Sequence, residues 1–331
     1  MTQTPAVQAT GLVKKFGDLR AVDGIDLEVS QGEILGVLGP NGAGKTTMLR
    51  MLATLLPIDA GTAHIFGVDV AREPHRVRQL IGVTGQYASV DENLTASENL
   101  WLFGRLQGMR SADARATAKR LLDQFGLEDA AERPLSQFSG GMRRRLDLAA
   151  SLITRPPLIF LDEPTTGLDP RTRGQMWDTI RSLVAEGCTV LLTTQYLDEA
   201  DQLADRIAVI DRGCKVAQGT PDELKASVGS STLQLQLAAG SDQAAACHVV
   251  GRVLGSEPVL TPESGRINAP LTVADRAADV LIGLREAAVA IDSVSVAKPT
   301  LDEVFLTITG HDATHEPDRT NEDEPALEVA R

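Results

Sequence analysis

Two hydrophobic periods alternate along this chain, and the places where one gives way to the other mark its elements. Ile25, Leu27 and Val29 alternate with Asp26 and Glu28, which predicts a half-buried strand closed by a turn at Ser30, Gln31 and Gly32. Ile34 to Leu38 is a continuously apolar strand that runs into a glycine-rich stretch, after which Met48, Met51, Leu52 and Leu55 return at helical spacing. From Asp91 to Arg155 the strand signal nearly vanishes and helical patterns such as Leu121, Leu122, Phe125 and Leu127 take over. Leu158 to Leu161 and Val190 to Thr193 are short apolar runs flanked by turns or helices, as buried parallel strands under crossover helices require. Asp205 to Gly219 reads as two strands about a turn at Asp211, Arg212 and Gly213. Thr220, Pro221, Asp222 and Glu223 then form a capping box with proline at the first helical position.

Past a weak linker at Gly229, Ser230 and Ser231, Leu233, Leu235 and Leu237 predict another strand. A helix over Ala244 to Leu254, strands near Val259 and Ile267, a helix from Val273 to Ala288 and a strand from Ile291 to Val296 follow. Thr300 to Glu303 caps a last helix that stops at Gly310. The order βαββαβ predicts a small ferredoxin-like layer. The expected organisation is therefore a first domain over 1–226 with a helical subdomain at about 87–155, an accessory α+β domain over 227–310, and a disordered acidic tail over 311–331. No internal repeat is visible.

Composition sharpens this picture in a few places. The chain has 331 residues, enough for about two domains at roughly 150 residues each. Its 32 basic and 45 acidic side chains leave a net charge of −13, which argues against a phosphate-seeking surface for nucleic acid. Part of that excess lies beyond Gly310, where Asp312, Glu316, Asp318, Glu322, Asp323, Glu324 and Glu328 face only Arg319 and Arg331. Cys188, Cys214 and Cys247 are scattered, which excludes a disulfide framework and fits a reducing cytoplasm. His64, His75, His248, His311 and His315 have no metal-ligand spacing. Met1 to Ala9 lacks the pattern of a signal peptide, and no run approaches the ~18 apolar residues of a membrane span.

The chemistry is concentrated in three stretches. Gly39, Pro40, Asn41, Gly42, Ala43, Gly44, Lys45 and Thr46 match GxxxxGK[ST] between a predicted strand and a predicted helix. Glycines there let successive N–H groups converge on phosphate oxygens, Lys45 neutralises β/γ charge, and the Thr46 hydroxyl is suited to Mg²⁺. Leu158, Ile159, Phe160, Leu161, Asp162 and Glu163 place two carboxylates just past the carboxyl end of a buried strand, where open α/β sheets bind ligands. Asp162 is the expected Mg²⁺ ligand, directly or through water, and Glu163 the expected base for in-line attack of water on a γ-phosphate. Between them, Phe138, Ser139, Gly140, Gly141 and Met142 open a helix as a second anion-binding start. Arg143, Arg144 and Arg145 read as a solvated helix face, and Trp101 and Leu102 as core.

As an ordered set these motifs resemble the ATP-binding cassette family, over about residues 7 to 226, with Phe138 to Met142 standing for its LSGGQ signature. The resemblance implies a P-loop NTPase α/β fold, with a parallel-sheet core, an antiparallel β edge and a helical subdomain, plus the small C-terminal domain. It implies that Phe16 stacks on adenine, that Gly39 to Thr47 hold the phosphates, that Gln86 senses Mg²⁺ and the attacking water, and that Gly167, Leu168 and Asp169 form the D-loop. Two cassettes of this family pair head to tail, so Ser139, Gly140 and Gly141 serve the nucleotide of the other subunit, and ATP holds the halves together. Met142 replaces the signature glutamine. Gln195, after Thr193 and Thr194, stands where the family carries a histidine to the γ-phosphate and cannot carry its charge.

The stretches Gly85 to Asp91, Ser139 to Leu146, Thr193 to Ala200 and Leu301 to Leu306 together resemble the daunorubicin/doxorubicin-resistance group of exporter ATPases. Members of that group work with a separately encoded membrane permease and export antibiotics or lipids. The implied role is an ATP-hydrolysing homodimer on the cytoplasmic side of the membrane, with Tyr87 to Leu100 receiving a coupling helix of the permease. The rival readings are a soluble cassette ATPase and an ATP-dependent regulatory switch uncoupled from transport.

Overall fold

Ten-residue alternation at the start of the chain produces the first sheet. In the computed structural model, which describes residues 4–84, 90–228, 231–261 and 265–310, β1 (Val7–Phe16) and β2 (Leu19–Val29) pair antiparallel with Val7 opposite Val29. β4 (Ala60–Ile65) and β5 (Val68–Asp69) extend this layer in the order β2-β1-β4-β5. Val7, Ala9, Leu12 and Lys14 of β1 and Val22, Ile25, Leu27 and Val29 of β2 point inward, the alternation slipping where the ladder's register shifts, and Phe16 lies at the turn end of the hairpin opposite Leu19.

The central sheet has six strands in the order β10-β9-β3-β8-β7-β6. These are β3 (Ile34–Leu38), β6 (Ile81–Thr84), β7 (Leu158–Asp162), β8 (Thr189–Thr194), β9 (Arg206–Asp211) and β10 (Cys214–Gly219). All run parallel except β10, which turns back antiparallel on β9. The apolar runs of β3, β7 and β8 follow from burial on both faces. Leu35, Val37, Leu158, Phe160 and Leu191 face the antiparallel layer and α1 (Lys45–Leu52), while Ile34, Leu38, Ile159, Leu161, Val190 and Leu192 face the opposite core. Leu55 falls beyond the end of α1 and is exposed, so the helical spacing outlasts the helix by a turn.

α2 (Pro74–Leu80) leads into β6, and the helical subdomain follows. α3 (Ala96–Leu106) starts at a full capping box, with Thr95 accepting from the Glu98 N–H and Glu98 reaching back to the Thr95 N–H. α4 (Ser111–Gln124) packs on it, two short 3₁₀ turns follow, and α5 (Gly140–Ser151) returns beneath β6. Trp101 is half-buried and Leu102 faces solvent. The pair belongs to the subdomain's surface, because Leu100 and Asn99 take the inward positions of α3. α6 (Pro170–Ala185) crosses from β7 to β8, α7 (Leu197–Leu203) from β8 to β9, and α8 (Pro221–Val228) closes the series behind the Thr220 capping box.

The last segment forms β11 (Ser231–Leu237), α9 (Gln243–Leu254), β12 (Val259–Thr261), β13 (Arg266–Leu271), α10 (Arg276–Glu286) and β14 (Ile291–Ala297). Strand order β12-β13-β11-β14, antiparallel throughout, is the ferredoxin-like arrangement expected from the pattern. Leu233, Leu235 and Leu237 meet Val249, Val250, Val280 and Leu284 in its own small core. α11 (Leu301–Thr309), again started by a capping box, leaves that core. It packs on α7, α8 and β10, and Leu301, Val304 and Phe305 are buried in the same apolar cluster as Leu203 and Leu224. No described helix is long and apolar enough to cross a membrane.

Candidate active site

Three parallel strands deliver the chemistry to one edge. Register places Leu38 of β3 beside Thr194 of β8, and Thr193 of β8 beside Asp162 of β7, so the loop after β3 and the carboxylates after β7 flank the end of β8. The loop after β3, Gly39 to Gly44, then turns into α1. Gly44 has φ of +101°, and a Cβ there would lie 2.2 Å from the Ala21 carbonyl oxygen; at Gly39 it would lie 2.2 Å from that of Ile210. Both glycines are therefore demanded by backbone approach. Ala43 O accepts from the Gly213 N–H and Asp23 N–H donates to Gly213 O, which braces the loop against the β9–β10 turn and β2.

Lys45 is buried at the foot of this loop. Its Nζ donates to Gly39 O at 2.8 Å and Pro40 O at 3.1 Å, and lies 3.6 Å from Glu163 Oε1. Burial lowers its pKa, opposed chiefly by the Glu163 carboxylate and then by Asp162. Thr46 Oγ1 donates to Asp162 Oδ1 at 2.9 Å, and Thr193 Oγ1 donates to the same oxygen at 2.6 Å. The Glu163 N–H donates to both Thr193 O and Thr193 Oγ1 at 3.1 Å, and Thr166 Oγ1 donates to Glu163 Oε2 at 3.2 Å. Glu163 itself has φ of +47°, a left-handed backbone that a non-glycine residue adopts at a cost of about 1–3 kcal/mol.

The remaining site residues divide into two groups. Asn41 and Gly42 are exposed at the loop tip, and Pro40 and Thr47 are half-buried beside it. Gln195 is half-buried immediately beyond β8. Phe16 is 48% exposed, with Lys14 Nζ 5.6 Å from its ring centroid. Ser139 caps α5 by accepting from the Met142 N–H, Gly140 is exposed, and a Cβ on Gly141 would meet Thr172 Cγ2 at 2.4 Å. Asp169 caps α6 through Thr172 N–H at 3.0 Å and Thr172 Oγ1 at 2.6 Å, and these bonds, the hydroxyl first, lower its pKa. Ser139 to Gly141 and Asp169 thus form a second centre, which among the described residues shares no hydrogen bond or ion pair with the Lys45 cluster. Gln86 lies outside the described residues.

Sequence reasoning missed two members of the first centre. Thr193 holds both carboxylate residues, and its only local signal is a hydroxyl near the end of a buried strand. The arginine run is also not a solvated face. Arg143 pairs with Glu92 at 2.5 Å, Arg144 is turned inward onto backbone carbonyls of residues 162–164, and Arg145 Nη1 donates to Phe125 O. Met142 packs against the core beneath α5, an apolar role that the signature glutamine of the family would not fill.

A hydroxyl and a carboxylate oxygen held 2.9 Å apart, at Thr46 and Asp162, are hard donors suited to Mg²⁺, which takes one or two protein oxygens and completes its shell with phosphate and water. Among the described residues no group of three or more His, Cys, Asp or Glu offers a metal cage.

Comparison with known proteins agrees with this geometry. Residues 22–166 match the ABC transporter family model. The chain is 54% identical over 326 residues to a daunorubicin/doxorubicin resistance ATP-binding protein of Streptomyces peucetius, covering 97% of this chain and 96% of that one. It is 44% identical to a doxorubicin resistance ATP-binding protein of Mycobacterium tuberculosis, covering 92% and 93%. Among solved structures, the dimeric ATP-binding cassette MJ0796 with ADP and Pi superposes with a TM-score of 0.60 at 27% identity, covering 65% of this chain and 98% of that one. The chain belongs to the ABC transporter family, as an ATP-binding protein of its daunorubicin/doxorubicin-resistance type.

Proposed function

We propose that this chain hydrolyses MgATP in a head-to-tail dimer of two copies and thereby drives export of a drug, antibiotic or lipid through a separate permease. The observation that carries this reading is the buried cluster of Lys45, Thr46, Asp162 and Glu163 at the carboxyl edge of the central sheet. Lys45 and the N–H groups of Gly42 to Thr47 bind the β- and γ-phosphates. Thr46 and Asp162, with Gln86, would hold Mg²⁺, which would supply positive charge against the phosphoryl oxygens. Glu163 takes a proton from the attacking water. Its carboxylate is aimed by the Thr166 hydroxyl on one oxygen and Lys45 on the other.

Phe16, half-exposed at the end of its hairpin, supplies a face for adenine. The second centre, Ser139 to Gly141 beside Asp169, faces outward and complements the nucleotide of the other copy, as the dimeric structural neighbour supports. Gln195 donates its amide to the γ-phosphate and adds no charge. A peripheral position on the cytoplasmic face fits a described chain without membrane-crossing helices and relatives named for drug resistance. The test is affinity purification of Glu163→Gln from detergent-solubilised membranes of the host with MgATP. A stoichiometric polytopic membrane protein is the expected companion, and recovery with ribosomes or with nothing overturns the exporter reading.

A further inference from the structure

Asp162, Glu163 and Pro164 present three successive carbonyl oxygens at the point where β7 leaves its strand partner, since pairing with β8 ends with Asp162 opposite Thr193. One guanidinium takes all three. Arg144, on the second turn of α5, donates from Nε to Pro164 O at 3.0 Å and from Nη2 to both Asp162 O and Glu163 O at 2.8 Å. The peptide N–H on the other side of Glu163 is held by Thr193. Glu163 is thereby fixed at its left-handed φ of +47° from both directions, and a fork of fixed planar geometry is what three converging carbonyls require. Burial lowers the pKa of Arg144, opposed by the nearby carboxylates, Asp147 first. Its neighbours in sequence, Arg143 and Arg145, point elsewhere and reach Glu92 and Phe125.

We infer that Arg144 is a positioning residue for hydrolysis, which sets the direction of the Glu163 carboxylate by clamping the strained turn that carries it. The inference rests on Glu163 acting as the base. Lysine keeps the charge of Arg144 and loses the fork, because one ammonium cannot reach three carbonyls along the same directions. Displacing the turn by a fraction of an ångström breaks neither bond of Lys45 to the Gly39 and Pro40 carbonyls of the phosphate loop, so the loss falls chiefly on kcat rather than on MgATP binding.

The test uses the full chain as Arg144→Lys, Glu163→Gln and the double variant, with steady-state phosphate release, MgATP titration and thermal melting for each. Arg144→Lys is expected to lower kcat about 10- to 100-fold with KM within about twofold. In the Glu163→Gln background the same change is expected to alter residual turnover by less than about twofold, since the residue it positions is already disabled. Arg144→Gln, which retains two amide donors without charge, is a second route to the same ratio. Turnover is referred to nucleotide-competent protein counted by titration, so partial unfolding does not mask the result. A wild-type kcat in either Arg144 variant, or an equal fold-loss with and without Glu163, overturns the inference. Near-normal turnover of Glu163→Gln alone instead overturns Glu163 as the base.

Discussion

Lys45 Nζ and Glu163 Oε1 face each other across 3.6 Å, with side chains only 4% and 8% exposed. Two opposite charges this deep in the protein compensate each other's desolvation, and removing one leaves the other stranded. The phosphates of a nucleotide compete with Glu163 for Lys45 and are repelled by the carboxylate. Glu163→Gln therefore binds MgATP at least as tightly as the wild type while turnover falls by about 100-fold or more. Lys45→Ala loses binding itself. Nucleotide titration and phosphate release on the two variants check both halves of this expectation.

Gly44→Ala is expected to abolish nucleotide binding. The left-handed φ of +101°, with the Ala21 carbonyl 2.2 Å from where the added methyl would sit, leaves no room for a Cβ without moving β2 or the loop. Gly42→Ala provides the contrast. Its φ is +78° but nothing lies within 4 Å, so it incurs conformational strain alone, of about 1 kcal/mol. Binding assays on the pair separate a steric requirement from a conformational one, and equal affinities would contradict it.

Position 195 sets a third expectation. Glutamine does not titrate near neutrality, so the wild-type rate carries no inflection from this residue. Gln195→His places an imidazole at the end of β8 and introduces an inflection in kcat near pH ~6.5, with the faster arm on the acid side where the ring is cationic. Gln195→Ala slows turnover without adding any inflection. Rate profiles of the three proteins across neutral pH decide the matter.

Glu199 is fully buried, and burial raises its pKa against the opposing hydrogen bonds of Thr194, Thr165 and Trp177. A carboxyl of raised pKa holds its proton more tightly folded than unfolded. Its contribution to stability is complete below the usual glutamate pKa and is lost as pH rises through the folded value. Glu199→Gln cannot ionise and escapes that loss. Melting from about pH 4 to about 8 should show the variant gaining on the wild type as pH rises, whereas a constant difference would place the effect outside titration.

Phe305, 6% exposed on α11, sits in the core shared with α7 and α8. Phe305→Ala is expected to cost about 3 kcal/mol by opening a cavity there, and to lower the denaturation midpoint of the ATP-binding core. A loss confined to the ferredoxin-like layer, followed by hydrogen exchange on each part, would count against this placement.

What the sequence reveals and what it hides follow a physical line. The phosphate loop, the Asp162–Glu163 pair and the signature turn are contiguous, because backbone N–H convergence and strand-end carboxylates are built from neighbours in the chain. The βαββαβ order is legible for the same reason, since alternation at Leu233, Leu235 and Leu237 is local. Arg144 is not, because its partners are carbonyls on another element, and no periodicity distinguishes it from the arginines beside it. Thr193 is hidden inside the buried strand that carries it. The stripe of Leu301, Val304 and Phe305 announces a helix with one greasy side, but the surface that receives it is assembled from segments roughly 80 to 100 residues upstream.

α11 turns that last point into a mechanical one. The chain leaves the ATP-binding core after α8, completes a separate sheet, and comes back to lie on α7, the helix that starts two residues past Gln195. Close-packed interiors pass strain from element to element with little give. The outlying layer is accordingly mounted like a crank on a shaft, with α11 bolted to the helix that begins beside Gln195.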